Sequence, residues 1–265
     1  MSRNKSSFHP SFVPEIRAGY FWLPKDTVNV GLTSFRILEG NKNSTFDQTQ
    51  TTVAKQPSLI SNNGNQQLSY VGAIDVPGSD VRTITSTDVV AGWTGNTYLG
   101  FWHKFPVTNS SAPGDLPSGA TTLFNHNKVA PNRRWSFTHS GTDDTYSLTV
   151  SADGTALLTD KWDASSDYPS ASDNPWLWKE LILTVGIGVQ LFIGFVLRSQ
   201  TVTAINISSL SNSTASIAIY SSALSGINQN AHQGGPIYYG NGIPSLKNRK
   251  RLANYLNPRN VKFQI

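Results

Sequence analysis

Cleavage of a glycosidic bond needs two carboxyl groups facing one cleft, and on a strand they would stand at alternate positions. The chain offers three isolated glutamates, Glu15, Glu39 and Glu180, and no E-x-D-x-E pattern. Seven aspartates lie between 143 and 173: Asp143, Asp144, Asp153, Asp160, Asp163, Asp167 and Asp173. Their spacing is that of loops, and they read as a solvated acidic region. A Ca²⁺ site at Asp143 or Asp144, completed by loop carbonyls, is the alternative; no other cofactor is implied. The histidines His9, His103, His126, His139 and His232 show no metal-ligand spacing. No G-x-S-x-G, G-x-x-x-x-G-K-[ST] or G-x-G-x-x-G occurs. An enzyme is therefore not expected.

Sugar binding calls for aromatic faces beside polar groups that pair with hydroxyls. Trp93, Trp162, Tyr168, Trp176 and Trp178 lie in or near stretches rich in Asp, Asn and Ser. Trp93, Trp162, Tyr168 and Trp176 are the carbohydrate-binding candidates, although core or interface is the expected place for most such residues. Trp176 and Trp178 alternate, so on a strand they share one face.

The third candidate chemistry is charge. Net charge is +5, divided as +3 over residues 1–45, −5 over 46–180 and +7 over 181–265, where seven basic and no acidic residues occur. Lys247, Arg249, Lys250, Arg251, Arg259 and Lys262 are candidates for partner binding. A basic end fits an acidic protein surface, a nucleic acid or a membrane; a solvated tail is the bland alternative.

These residues must be positioned by strands. The sequence has 265 residues, 38% apolar and 14% charged, with 32 Ser, 24 Thr, 22 Asn and 21 Gly. That profile predicts many short strands joined by polar turns. Strands are predicted at Tyr98–Phe105, Thr121–Phe124, Arg134–Thr138, Tyr146–Val150 and Ile217–Tyr220. The Asp153-Gly154 pair predicts a tight hairpin from Tyr146–Val150 into Thr155–Thr159. Leu181 to Leu197 is a run of seventeen uncharged residues. Gly186-Ile187-Gly188 divides it into two β-branched halves, which predicts a buried hairpin rather than a transmembrane helix. One helix is expected after Pro244, with Ser245 as N-cap, Leu252, Tyr255 and Leu256 on one face, and an exposed basic side. With no cysteine, stability must come from the core or from assembly. Met1 to Pro10 is polar, so export through a signal peptide is not expected. The five N-x-[ST] sequons match chance, and no glycosylation is attached to them.

The ordered pieces LGFWHKF, TLFNHNK, RRWSFTHSG, YSLTVSADGT, WLWKELILTV, VQLFIGFVLRS and STASIAIYSS resemble concanavalin A-like (laminin-G-like) domains over residues 68–243. In such domains the Trp-led strand usually runs into an Asp-Gly type turn, where Gly186-Ile187-Gly188 stands here. Thr51 to Ile60 with Asn63-Gly64, and Tyr239 to Leu246, are similar to segments flanking such domains in tailed-bacteriophage surface proteins. The resemblance implies an all-β fold, an antiparallel jelly-roll sandwich with an extended N-terminal arm and a short C-terminal basic helix. The parts are an arm with lead-in strands (1–67), the lectin-like sandwich (68–243) and a basic tail (244–265).

It implies a non-enzymatic virion structural protein made in the host cytoplasm and carried on the virion surface, a capsid decoration protein first of all. The alternatives are a tail-fibre or receptor-binding protein that takes a host-surface glycan, and a cellular carbohydrate-binding module. Capsid or tail proteins are the expected partners, nucleic acid is the disfavoured rival, no membrane is expected, and the protein is expected to be a homo-oligomer, with a trimer as one form. Because paired carboxylates are missing, no turnover of β-glucans or host polysaccharides is expected in a reducing-sugar assay. Hydrolysis abolished by Asp143→Asn or Asp144→Asn would overturn that expectation.

Overall fold

A computed structural model describes residues 8–22, 34–39, 45–49, 58–62, 65–69, 83–84, 95–104, 120–126, 134–140, 143–165, 176–199, 210–211, 217–219 and 233–257. In chain order the strands are β1 (Ala18–Trp22), β2 (Ser34–Glu39), β3 (Thr45–Thr49), β4 (Ser58–Asn62), β5 (Asn65–Ser69), β6 (Thr83–Ile84), β7 (Thr97–Lys104) and β8 (Ala120–His126). They continue as β9 (Trp135–Ser140), β10 (Thr145–Val150), β11 (Leu158–Asp163), β12 (Leu177–Thr184), β13 (Gly188–Ile193), β14 (Val196–Leu197), β15 (Ile217–Ile219) and β16 (Gln233–Asn241). A 3-10 turn at Pro10–Phe12 precedes them, and the helix α1 (Leu246–Tyr255) follows.

The strands pair antiparallel along one path, β11-β10-β9-β8-β15-β6-β3-β2-β1-β16-β7-β12-β13-β14, with the β4–β5 hairpin joined to β16. The path folds back on itself. Phe101 on β7 meets Phe137 on β9 edge-on at 6.2 Å between ring centroids. Trp135 on β9 donates its indole N–H to the Tyr239 hydroxyl on β16 at 3.1 Å. Both pairs join strands far apart on the path, so the two halves face each other as a sandwich. The all-β antiparallel expectation holds.

Patterning follows from which faces are covered. In β9 and β10 every second residue is buried, so these strands have one face in the core and one toward water. In β7 and β12 nearly every residue is buried, because both faces are packed. Leu99, Phe101, Leu181 and Leu183 enter the sandwich core with Phe137, Leu148 and Trp162. Tyr98, Trp102, Trp178 and Ile182 enter a second core on the opposite face, closed by Val13, Ile16, Leu252, Ala253 and Leu256. The segment around Val13 and Ile16 and the helix α1 thus form a third layer over the sheet. Gly100 permits the crowding there, since a Cβ at that position would stand 2.5 Å from the Trp178 ring.

The Leu181–Leu197 segment is a hairpin: Leu181 pairs with Leu191 and Thr184 with Gly188. Its turn uses positive φ at Gly186 and Gly188, as the glycine pair implied. Leu181, Ile182, Leu183, Val189, Leu191 and Ile193 are buried, while Ile187, Val196 and Leu197 are exposed. No helix among the described residues is long and apolar enough to cross a membrane.

The Asp153-Gly154 hairpin differs from expectation. The strand after it is Leu158–Asp163, not Thr155–Thr159, and Val150 pairs with Leu158 across a longer loop. The Asp153 carboxylate causes this by accepting from the backbone N–H groups of Thr155 and Ala156 at 2.7 and 2.9 Å. Those bonds hold the chain in a wider turn before the ladder begins.

Trp102 and Trp135 are core residues, 1% and 4% exposed. Trp102→Ala and Trp135→Ala should each lower unfolding free energy by about 3–5 kcal/mol in denaturant titration. An unchanged midpoint for Trp102→Ala would show that the helix-side core does not hold the fold.

Candidate functional site

The site is built around α1, whose sequence LKNRKRLANY holds no acidic residue. Leu252, Ala253 and Leu256 turn inward, and the Trp102 indole N–H donates to the Ala253 carbonyl at 3.2 Å. The described part of the segment expected as a basic tail is therefore seated on the sheet. Ser245 occupies the N-cap position, but its side chain makes no capping bond. Glu15 does that work from across the fold. Its carboxylate accepts from the Ser245 backbone N–H at 3.1 Å and from the Asn248 amide at 3.0 and 2.8 Å. A carboxylate at this position also meets the positive end of the helix dipole. Slight burial alone would raise the Glu15 pKa, but the bonds from Ser245 and Asn248 outweigh it and hold it below the usual value.

Arg249 corrects the expectation of a uniformly exposed basic side. It is buried, with its guanidinium 3.7 Å from the Glu180 carboxylate and 4.5 Å from the centre of the Phe192 ring. Glu180 lies on β12 and faces the helix, where the Tyr98 hydroxyl donates to it at 2.7 Å. Burial raises the Glu180 pKa, and Arg249 and the Tyr98 bond only partly oppose that shift. The remaining cations point outward. Lys247 and Arg251 are exposed and Lys250 is half-buried. Lys250 stands 5.9 Å above the Phe195 ring and Arg251 5.7 Å above the Phe8 ring. Exposed Phe12, Leu246 and Tyr255 add apolar surface to the same end segments. Among the described residues, none of these three cations has an acidic partner within ion-pair distance.

The aromatic candidates do not converge. Trp162 belongs to the sandwich core and Trp176 to the helix-side core, so neither offers a ring face to a sugar. Flanking polar residues gave Trp162 a loop-like look, but its neighbours Lys161 and Asp163 turn outward from the buried ring. Trp176 and Trp178 do share one face. Trp93, Tyr168, Arg259 and Lys262 lie outside the described residues. Asp143 and Asp144 form the turn between β9 and β10, and Ser140 bonds Asp143 there. No group of three or more potential metal-ligating side chains occurs among the described residues. Inside the sandwich, the Lys179 ammonium donates to the Tyr146 hydroxyl at 2.8 Å and lies 2.9 Å from His103 Nδ1. Sequence reasoning missed the roles of Glu15 and Glu180. The signal for Glu180 was a carboxylate inside the strand LWKELILT, which burial obliges to find a partner.

No protein-family profile and no curated protein sequence matches the chain. Solved structures do. One is the binding domain of botulinum neurotoxin D/C in complex with rat synaptotagmin II, at 14% identity and a TM-score of 0.52, covering 89% of this chain and 53% of that one. Another is a botulinum neurotoxin type C structure, described with uptake into cells dependent on two ganglioside molecules, at 12% identity and a TM-score of 0.50, covering 87% and 53%. A third, the serotype C1 binding domain, gives 14% and 0.50 over 82% and 50%. The chain spans about half the length of these structures, and at such identities the likeness is one of fold.

The two glutamates should carry opposite pH signatures. The lowered pKa of Glu15 contributes stability that is present above its unfolded value and lost as pH falls through the folded one. The raised pKa of Glu180 contributes stability that is full below its unfolded value and lost as pH rises through the folded one. In melting curves against pH, Glu15→Gln should flatten the acid limb and Glu180→Gln the decline above the usual carboxylate range. Arg249→Ala should cost about 3–5 kcal/mol at neutral pH, because it leaves the Glu180 charge uncompensated. Lys247→Ala should stay within about 0.5 kcal/mol. Equal effects of the two cation replacements would contradict this division of roles.

Proposed function

We propose that this protein is a non-enzymatic binding module serving as a virion structural protein, a capsid decoration protein, which grips an acidic shell surface through the outer face of α1. The observation that carries this reading is the placement of Lys247, Lys250 and Arg251. Lys247 lies in the first turn, where the dipole disfavours a cation, Lys250 and Arg251 lie mid-helix, where the dipole does not favour them, and no basic residue stands in the last turn, where it would. Helix stability does not account for that arrangement, whereas an acidic partner does. The exposed apolar residues beside the cations add contact area of the kind found at protein interfaces. The virion assignment itself rests on the resemblance of residues 51–64 and 239–246 to flanking segments in bacteriophage surface proteins.

A second reading is a receptor-binding protein for a host-surface glycan. It is favoured by the sandwich fold shared with toxin binding domains, one described with gangliosides. Arg259 and Lys262 extend the basic character of the attachment segment in either case.

Truncation at Ser245 is a poor test, because it would remove Leu252, Ala253 and Leu256 from the core. The better test is the full chain with Lys247→Gln, Lys250→Gln and Arg251→Gln together, bound to particles stripped of the protein. Affinity should fall about tenfold, with a weaker dependence on salt, as expected for three exposed charges. Undiminished particle binding would overturn the reading, and loss of DNA binding alone would favour nucleic acid as the partner.

A further inference from the structure

A polar cleft of about 430 Å³ opens at the end of the sheet where β1 and β7 begin and β16 ends, lined by Glu15, Arg17, Gly95, Asn96, Asn241 and Gly242 among others. From it we infer a saccharide site specific for a sugar that carries a carboxylate, such as a uronic acid residue. This inference rests on the glycan-binding reading and moves its site away from the tryptophans. The volume falls in the range of small-molecule pockets, roughly 300–1,000 Å³.

The floor is fixed by backbone bonds. The Arg17 N–H donates to the Asn241 carbonyl at 3.0 Å, and the Gly242 N–H to the Asn96 carbonyl at 2.9 Å. Gly242 has φ +134°, and a Cβ there would collide with the Glu15 carbonyl oxygen, so glycine is required. Among the described residues, and apart from its chain neighbours, no atom lies within 4 Å of the Cβ position at Gly95.

Two of the lining side chains, Asn96 and Glu15, have a defined hydrogen-bonding role. Asn96 uses its side-chain oxygen to accept from the Val185 N–H at 2.9 Å, which leaves its NH₂ as a donor. Arg17 is exposed, and among the described residues its guanidinium has no acidic partner. Glu15 is pinned by Ser245 and Asn248 and held in its ionised form, so it can only accept. The residues lining the cleft thus include one guanidinium, two amides and a carboxylate tied to Ser245 and Asn248. A phosphate dianion would satisfy Arg17 but offer Glu15 at most one O–H donor, and a neutral sugar would leave Arg17 without a counter-charge. A hydroxy-carboxylate matches both: its carboxylate pairs with Arg17 in bidentate fashion, its hydroxyls donate to Glu15, and its oxygens accept from Asn96 and Asn241.

The test is titration of the full chain with D-glucuronic acid, D-glucose and inorganic phosphate, followed by calorimetry and backbone amide NMR. Glucuronic acid should bind saturably, shift the amides of Asn96, Asn241 and Gly242, and exceed glucose by about tenfold or more. Arg17→Ala should remove that preference while leaving the melting curve unchanged, and Asn241→Ala should weaken binding on its own. Equal binding of glucose, equal or stronger binding of phosphate, or shifts confined to another region would overturn the site while leaving a glycan-binding role standing. No saccharide binding in solution, together with a blank glycan array, would overturn both.

Discussion

The structure depends on one constraint, that the central strands β16, β7 and β12 have two apolar faces and so must be covered twice. The sandwich covers one face. The other carries Tyr98, Trp102, Trp178 and Tyr238, rings too large to leave in water, and the segment around Val13 and Ile16 and the helix α1 close over it. The Tyr238 hydroxyl donates to the Pro10 carbonyl at 3.3 Å, and Trp102 donates to Ala253, so the aromatic layer also supplies polar anchors for its cover. Position 15 and position 245 become neighbours only through this layer. The cleft beside Glu15 and the outward face of α1 are consequences of the same closure.

Covering that face buries a charge. Glu180 sits in β12 at a position where the sheet looks toward the helix, and its carboxylate loses nearly all contact with water. Arg249 and Tyr98 recover part of that loss, and the separation of 3.7 Å from Arg249 is that of an ion pair without a close hydrogen bond. An apolar residue would serve packing at least as well, since buried ion pairs contribute little net stability. What the pair adds is register: α1 must present position 249 to β12, which fixes the direction in which its remaining cations point. Glu15 fixes the same N-terminal end of the helix through hydrogen bonds from Ser245 and Asn248. One carboxylate thus favours docking when ionised and the other tolerates ionisation only beside its partner.

How far the sequence revealed this depends on which face a residue serves. β9 and β10 were legible because one face meets water, which imposes alternation on Trp135, Phe137, Leu148 and Val150. The hairpin around Gly186 and Gly188 was legible because a turn with positive φ needs glycine. The helix was visible from Pro244 onward, but Arg249 looked no different from Lys247, Lys250 and Arg251, because its partner lies far away in the chain. The aromatic residues misled for a related reason. Trp162 follows Lys161 and precedes Asp163, so composition suggests a loop, whereas on β11 the polar neighbours turn outward and the indole turns in. Side-chain competition with the backbone, as at Asp153, was equally hidden from a reading that weighed only the Asp-Gly pair.

The division of labour within α1 follows from these contacts. Its inner face is committed, since Leu252, Ala253 and Leu256 fill the core and Arg249 answers Glu180. A cation in the first turn, Lys247, works against the helix dipole, and Glu15 offsets that penalty at the cap without pairing with it. Among the described residues, the outer cations are therefore held without an acidic partner of their own. The Lys250 ammonium and the Arg251 guanidinium themselves stand over the Phe195 and Phe8 rings, at 5.9 and 5.7 Å from the ring centres. A surface arranged in this way loses little conformational freedom when a partner binds, so more of each weak contact is retained as affinity. Its rigidity comes from the aromatic layer beneath, and its charge pattern can change without disturbing that layer, which is the combination a binding face on a stable sandwich requires.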